Sequence, residues 1–294
     1  MFLINVPLGL LLWLTARRHL QESTSPEMRA RPDWLGIGLL ILGASAVAWG
    51  IVRSESPSWI QPLGALAFGV ALLIVFGLWA RGRPAAALDL SLFEDRSFLF
   101  VNLATAVFGM AFTAMFLSSF LFLMGIWGYP QGLAGWAVTP GPLMVIPVAI
   151  VAGRLAGRIG HRPLLVVGGV LYAVAQAWLS LRIGATPDYV ATWLPAQLLS
   201  GAAVGLVLPA LSGAAVAKLG PARFGVGGGV NSAVRQMGGA AGAALAVALI
   251  GGALDTPLRS WAWLAVIVAD LVAGGVAGRS GGWGLRAGHF AERH

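Results

Sequence analysis

The sequence predicts an all-α, polytopic membrane helix bundle, and three observations carry that reading. Of the 294 residues 58% are hydrophobic and 10% charged, with a mean hydropathy of +0.82. A soluble domain is about 45–50% apolar and about 25% charged, so this chain has more apolar surface than one globular core can hide. The apolar residues also fall in runs of the length a helix needs to cross a hydrocarbon core of about 30 Å. Finally, these runs lack strict polar/apolar alternation. Inside lipid every backbone N–H and C=O needs an internal partner, so helices are favoured over a barrel.

Taken in order, the first element is Met1 to Ala16, apolar but short. A signal peptide has its basic residues ahead of the apolar run, whereas here Arg17 and Arg18 follow it. Residues 1–16 therefore read as the second half of a spanning helix, and a charged connector, 17–34, comes next. Two full spans follow, Leu35 to Val52 and Leu63 to Ala80, then a second connector over 81–97. Six more occupy 98–278: Phe98 to Met124, Gly135 to Ala152, Pro163 to Leu181, Ala191 to Ala217, Gly225 to Ala253 and Ser260 to Ala277. A basic tail, 279–294, closes the chain. An odd number of segments beginning in mid-span predicts that the chain continues a longer protein upstream.

Charge fixes the expected orientation, because Lys and Arg accumulate on the cytoplasmic side. Alternate loops hold fifteen basic residues, among them Arg17, Arg81, Arg154, Lys218 and Arg279; the opposite set holds Arg53, Arg182 and Arg259. That asymmetry predicts a multi-pass protein of the cytoplasmic (inner) membrane with a cytoplasmic C-terminus. It also accounts for the net charge of +8, so nucleic acid is not an expected partner; membrane lipid is. Trp34, Trp59, Trp79, Trp127, Trp136, Trp193 and Trp261 lie near span ends, where an amphipathic ring suits the interface.

Catalytic signatures are missing. There is no Cys, which excludes disulfides, Cys-ligated zinc and iron–sulfur clusters. His19, His161, His289 and His294 fall in loops or the tail, with no H-E-x-x-H, no Walker-type phosphate loop and no G-x-S-x-G elbow. The expectation is no enzyme activity, no metal and no cofactor.

Polar groups within spans are where function is expected, because they are costly in lipid and generally face a cavity or a partner. Asp270 has two readings: a proton-titrating or cation-recognising carboxylate, or a structural carboxylate bonded inside the bundle. Arg235, with Gln236, reads as a packing residue that snorkels or bonds neighbouring carbonyls. The neutral residues Asn102, Gln176, Gln197 and Asn231 are candidate cavity-lining groups, with helix–helix hydrogen bonds as the competing reading. Pro140, Pro142, Pro147 and Pro209 predict kinks. G-x-x-x-G occurs, among other places, at Gly153/Gly157, Gly201/Gly205, Gly238/Gly242 and Gly274/Gly278, but 41 Gly in 294 residues yield about six such pairs by chance, so the spacing carries no weight by itself.

Several segments resemble one family. The stretch MFLINVPLGLLLWLTARRHLQES from Met1 to Ser23 is similar to the sixth-helix segment of the fourteen-helix drug:proton antiporters of the major facilitator superfamily. Arg31 to Gly36, RPDWLG, resembles the "DWLG" opening of that family's seventh helix, and LFEDRSFLFVN from Leu92 to Asn102 the start of its ninth. Gly225 to Gly242, GVGGGVNSAVRQMGGAAG, is similar to the penultimate-helix pattern "GxxSGxxNxxRQxGGAxG". The motifs come in the family's order and cover nearly the whole chain.

The resemblance implies a major facilitator superfamily fold lacking its first five helices. Residues 35–80 are then the family's extra helix pair and 98–278 its C-terminal six-helix bundle. It also implies a secondary transporter that expels drugs or other small hydrophobic or cationic compounds by alternating access. The proton gradient would be its energy source, and missing N-terminal helices its partners. The loop GRLAGRIGHRP, Gly153 to Pro163, is similar to the superfamily's "GxLaDRxGrkx" loop, which implies a gating or structural role for Gly153, Arg154, Arg158, Gly160 and Arg162. Gly157 stands where the family has an acidic residue. A non-transporting scaffold or inactive relic is the competing expectation.

Overall fold

The computed structural model describes residues 5–19, 33–53, 60–81, 83 and 90–251. The expected span Ser260 to Ala277, and Asp270 with it, lies outside the described residues. A short N-terminal unit contains helix α1 (Asn5–His19). The larger unit contains α2 (Trp34–Val52), α3 (Ile60–Ala80), α4 (Arg96–Gly125), α5 (Gln131–Val138), α6 (Pro140–Ile159), α7 (His161–Arg182), α8 (Leu194–Val216) and α9 (Phe224–Gly251). Among the described residues six helical segments are long and apolar enough to cross a membrane. No β-strand occurs among them, as the absence of alternation predicts.

Local chemistry sets the helix ends. Asp33 caps α2, its carboxylate accepting from the Gly36 N–H at 2.9 Å, and Asp95 caps α4 through the Ser97 N–H at 2.7 Å. Each satisfies a donor that the first turn leaves without an intrahelical acceptor. The expected span from Gly135 to Ala152 is two helices, α5 and α6. Pro140 and Pro142 lack the N–H groups that would continue the ladder, so α5 ends at Val138 and a new helix starts on Pro140. Pro147 and Pro209 lie inside helices that continue past them. Gly160 ends α6 with φ 79°, a conformation that suits glycine, and α7 starts at once. A short π-helical turn, Tyr189–Trp193, leads into α8, with Asp188 accepting from the Ala191 N–H and the Thr192 hydroxyl.

Burial ranks the helices. Half of the spanning window of α4 and of Tyr189–Val216 is buried, against 17% for α2 and for α3. The first two are therefore central, and the α2–α3 hairpin is peripheral, resting on α9 through α2. Elsewhere α4 packs on α9, and α8 packs on both α6 and α7. The outward faces carry large apolar residues such as Leu143, Ile146 and Ile150 of α6 and Val167, Val170 and Val174 of α7, as lipid-facing helices require.

Two of the G-x-x-x-G pairs discounted by their frequency are contact points. A Cβ on Gly238 or Gly242 of α9 would collide with the backbone carbonyls of Ala106 and Met110 on α4, and one on Gly109 would stand 2.6 Å from the Arg235 carbonyl oxygen. Gly201 and Gly205 likewise meet the backbone of α6 at Gly141 and Val145. A Cβ on Gly153 or Gly157 would meet nothing within 4 Å among the described residues. The spacing is the same in all three cases; the helix face it falls on differs.

The tryptophans also divide. Trp34 and Trp136 are 75% exposed, as interfacial rings should be, whereas Trp193 is fully buried and Trp127 nearly so. Trp193 stacks on Phe122 with an interplanar angle of 12° and donates its indole N–H to the Ala137 carbonyl at 3.1 Å. Trp127 donates to the Gly184 carbonyl at 2.9 Å. These two rings tie α4, α5, α8 and the α7–α8 connection together instead of facing headgroups.

Candidate functional site

A cavity of about 200 Å³ lies between α4, α6 and α8. Phe112, Met115 and Phe116 project from α4; Gly141, Pro142 and Val145 from α6; Gln197, Ser200, Gly201, Val204 and Leu208 from α8, with Val138 of α5 at one edge. Local sequence explains this shape. Gly201 and Gly141 let the α6 and α8 backbones touch, and the bulky α4 side chains wall the remaining side.

The lining is apolar apart from two groups. The Ser200 hydroxyl donates to the Gln197 carbonyl within its own helix at 3.1 Å. The Gln197 side-chain amide makes no hydrogen bond among the described residues. Among the described residues no ionisable side chain lines the cavity. The arrangement can hold an apolar group by dispersion and desolvation, with a single amide to orient it.

Only Gln197 of the four neutral candidates lines this cavity. Asn102 and Asn231, expected in a cavity, are brought together instead. Asn231 of α9 donates one amide hydrogen to Asn102 Oδ1 at 3.1 Å and the other to Thr105 Oγ1 at 2.9 Å, both on α4. Asn102 in turn donates to the Phe98 carbonyl at 2.9 Å, and Thr105 to the Val101 carbonyl at 2.9 Å. All three side chains are buried, so the alternative of a helix–helix hydrogen bond describes the geometry. Thr105 is the member that sequence reasoning missed; its place one helical turn from Asn102 was the available signal.

Gln176 of α7 is fully buried, and among the described residues neither its side-chain oxygen nor its nitrogen has a hydrogen-bond partner. Arg235 is half-buried and reaches the Ser232 hydroxyl of its own helix at 3.5 Å, with Gln236 exposed beside it. Gly153, Arg154, Arg158, Gly160 and Arg162 are all exposed around the α6–α7 turn. Among the described residues no group of three or more His, Cys, Asp or Glu is placed to hold a metal.

A family model described as the MFS_1 like family matches residues 43–257, a stretch that includes the cavity and the asparagine pair. The chain belongs to the major facilitator superfamily. Its helices and this membership make it a multi-pass membrane protein. It is 30% identical to the "Uncharacterized MFS-type transporter Rv1250" of Mycobacterium tuberculosis over 83% of this chain and 42% of the relative. It is 24% identical to the "Multidrug export protein EmrB" of Escherichia coli over 83% of this chain and 48% of the relative. Against the "Probable transport protein HsrA" of Haemophilus influenzae the identity is 27% over 81% and 51%. The chain thus spans about half the length of the curated relatives it matches.

Proposed function

We propose that this superfamily member takes part in secondary active export of small hydrophobic or cationic compounds across the cytoplasmic membrane, by proton-coupled alternating access. It would work with helices equivalent to the part of its relatives that it does not match, and its C-terminus would face the cytoplasm. The observation that carries the reading is the cavity walled by Phe112, Met115, Phe116 and Gln197. Burying apolar surface there contributes about 25 cal/mol per Å², and a single oriented amide adds selectivity without demanding one substrate shape. A thioether and two phenyl rings are adaptable contacts. The names of two relatives, a multidrug export protein and a transport protein, support the same direction.

The test is an efflux assay. Cells lacking their main exporters, expressing the chain together with those helices, should accumulate less ethidium than control cells, and a protonophore should abolish the difference. Gln197→Leu and Ser200→Phe, the latter filling the cavity, should each reduce export several-fold while the protein remains in the membrane. Equal accumulation for every compound tried, with or without the protein, would leave a non-transporting scaffold as the better description.

A further inference from the structure

Four tryptophans carry an arginine four residues downstream: Trp13 and Arg17, Trp49 and Arg53, Trp79 and Arg83, Trp178 and Arg182. In each pair the guanidinium carbon lies over the indole, at 4.9, 5.9, 3.5 and 4.7 Å from the ring centroid in that order. With 12 Trp in the chain, random placement of the arginines produces roughly one such spacing or fewer. The pairs also share a position. Arg17 lies in the last turn of α1, Arg53 directly follows α2, Arg83 lies just beyond α3, and Arg182 is the last residue of α7. Each therefore marks the level at which a helix leaves the hydrocarbon.

All four arginines are exposed, and none forms an ion pair among the described residues. Two of them are unexpected where they stand. Arg53 and Arg182 belong to the arginine-poor set of loops, the side on which topology keeps cations scarce, and both lie over a tryptophan ring. Topology does not account for them.

We propose that each Trp-x-x-x-Arg pair is a binding site for the phosphodiester of a membrane phospholipid. The ring stands 3.5–5.9 Å from the guanidinium carbon and shields one side of it, while the exposed side chain keeps its other sides open to a ligand. The N–H groups on those sides remain for two phosphate oxygens. Tryptophan sets the depth, because its amphipathic ring settles at the headgroup level. The helix C-terminus by itself repels anions, so the phosphate depends on the cation. Since α2 and α3 form a hairpin, Arg53 and Arg83 end at its opposite ends, and the sites serve both leaflets.

The experiment uses the delipidated chain in detergent, with thermal unfolding and native mass spectrometry as readouts. Phosphatidylglycerol should raise the unfolding midpoint and remain bound in up to four copies. Dioleoylglycerol, with the acyl chains but no phosphate, and inorganic phosphate at equal concentration should do neither. Arg53→Gln and Trp49→Leu, the latter keeping the charge, should each lower the number of copies retained from four to three, and the double variant should lose no more than either single one. Trp49→Phe should restore most of the binding, which separates the stacked site from general destabilisation. Equal stabilisation by dioleoylglycerol would overturn the proposal, as would equal stabilisation by inorganic phosphate. Undiminished lipid binding in Trp49→Leu would do the same, because charge alone would then suffice.

Discussion

Asn231 and Asn102 are 129 positions apart in the chain and 3.1 Å apart in the bundle, joined by a side-chain hydrogen bond between α9 and α4. The second amide hydrogen of Asn231 goes to Thr105, so a single residue of α9 satisfies two buried acceptors on α4. Interhelical hydrogen bonds in membrane proteins contribute about 0.6 kcal/mol on average and at most about 1.7 kcal/mol.

Asn231→Leu removes both bonds and leaves the Asn102 oxygen buried without them. Its unfolding midpoint in detergent should fall, by the equivalent of about 1–3 kcal/mol. Adding Asn102→Leu removes the stranded acceptor, so the double variant should be less destabilised than the two single losses together. A strictly additive cycle would mean that the two asparagines are not coupled.

Glycine at the α4–α9 contact is a requirement of space. Gly238→Ala places a methyl against the Ala106 carbonyl and should cost about 1–3 kcal/mol as the helices are forced apart. Gly153→Ala, where the new methyl would meet nothing within 4 Å among the described residues, should be neutral or slightly stabilising. The pair of variants separates contact from helix propensity, and thermal unfolding in the same detergent reads both.

At the α6–α7 turn the requirement is conformational. Gly160 has φ 79° and ψ 176°, a region essentially confined to glycine. Gly160→Ala should lower stability by about 1–3 kcal/mol although no side chain stands within 4 Å of the new methyl. Limited proteolysis at the exposed arginines Arg158 and Arg162 should accelerate in this variant.

Gln176 makes the opposite prediction. Its amide is buried with no hydrogen-bond partner for either atom among the described residues, and an unsatisfied buried group costs about 1–3 kcal/mol. Gln176→Leu, similar in size and apolar, should therefore raise the unfolding midpoint by a few degrees. A lowered midpoint would show that the amide is satisfied in the membrane.

Much of this architecture is legible in the sequence, for identifiable reasons. Hydropathy reports the limits of individual spans because each helix must satisfy the bilayer independently: Leu63 to Ala80 is expected and Ile60–Ala80 is found. Pro140 is read correctly as a disturbance, since the missing N–H is a property of the residue itself. What fails is whatever depends on a second helix. Asn102 and Gln197 are equivalent as sequence, polar residues in apolar runs, yet one is bonded across to α9 and the other opens on a cavity. The glycine pairs fail in the same way, because counting G-x-x-x-G weighs frequency and the structure selects by face. Trp193 is misplaced at the interface because its position near a span end hides the aromatic cluster that buries it.

The α4–α9 contact has a mechanical implication. Gly109, Gly238 and Gly242 form recesses that take backbone oxygens of the opposite helix, and the positions flanking Gly242 on its helix, Ala241 and Ala243, carry methyl groups. Turning α9 about its own axis would bring those methyls against the α4 carbonyls and break the Asn231 bonds. The two helices are keyed like a shaft and its collar, so they travel as one body. Any rocking that exposes the cavity to alternate sides of the membrane must take place along other joints.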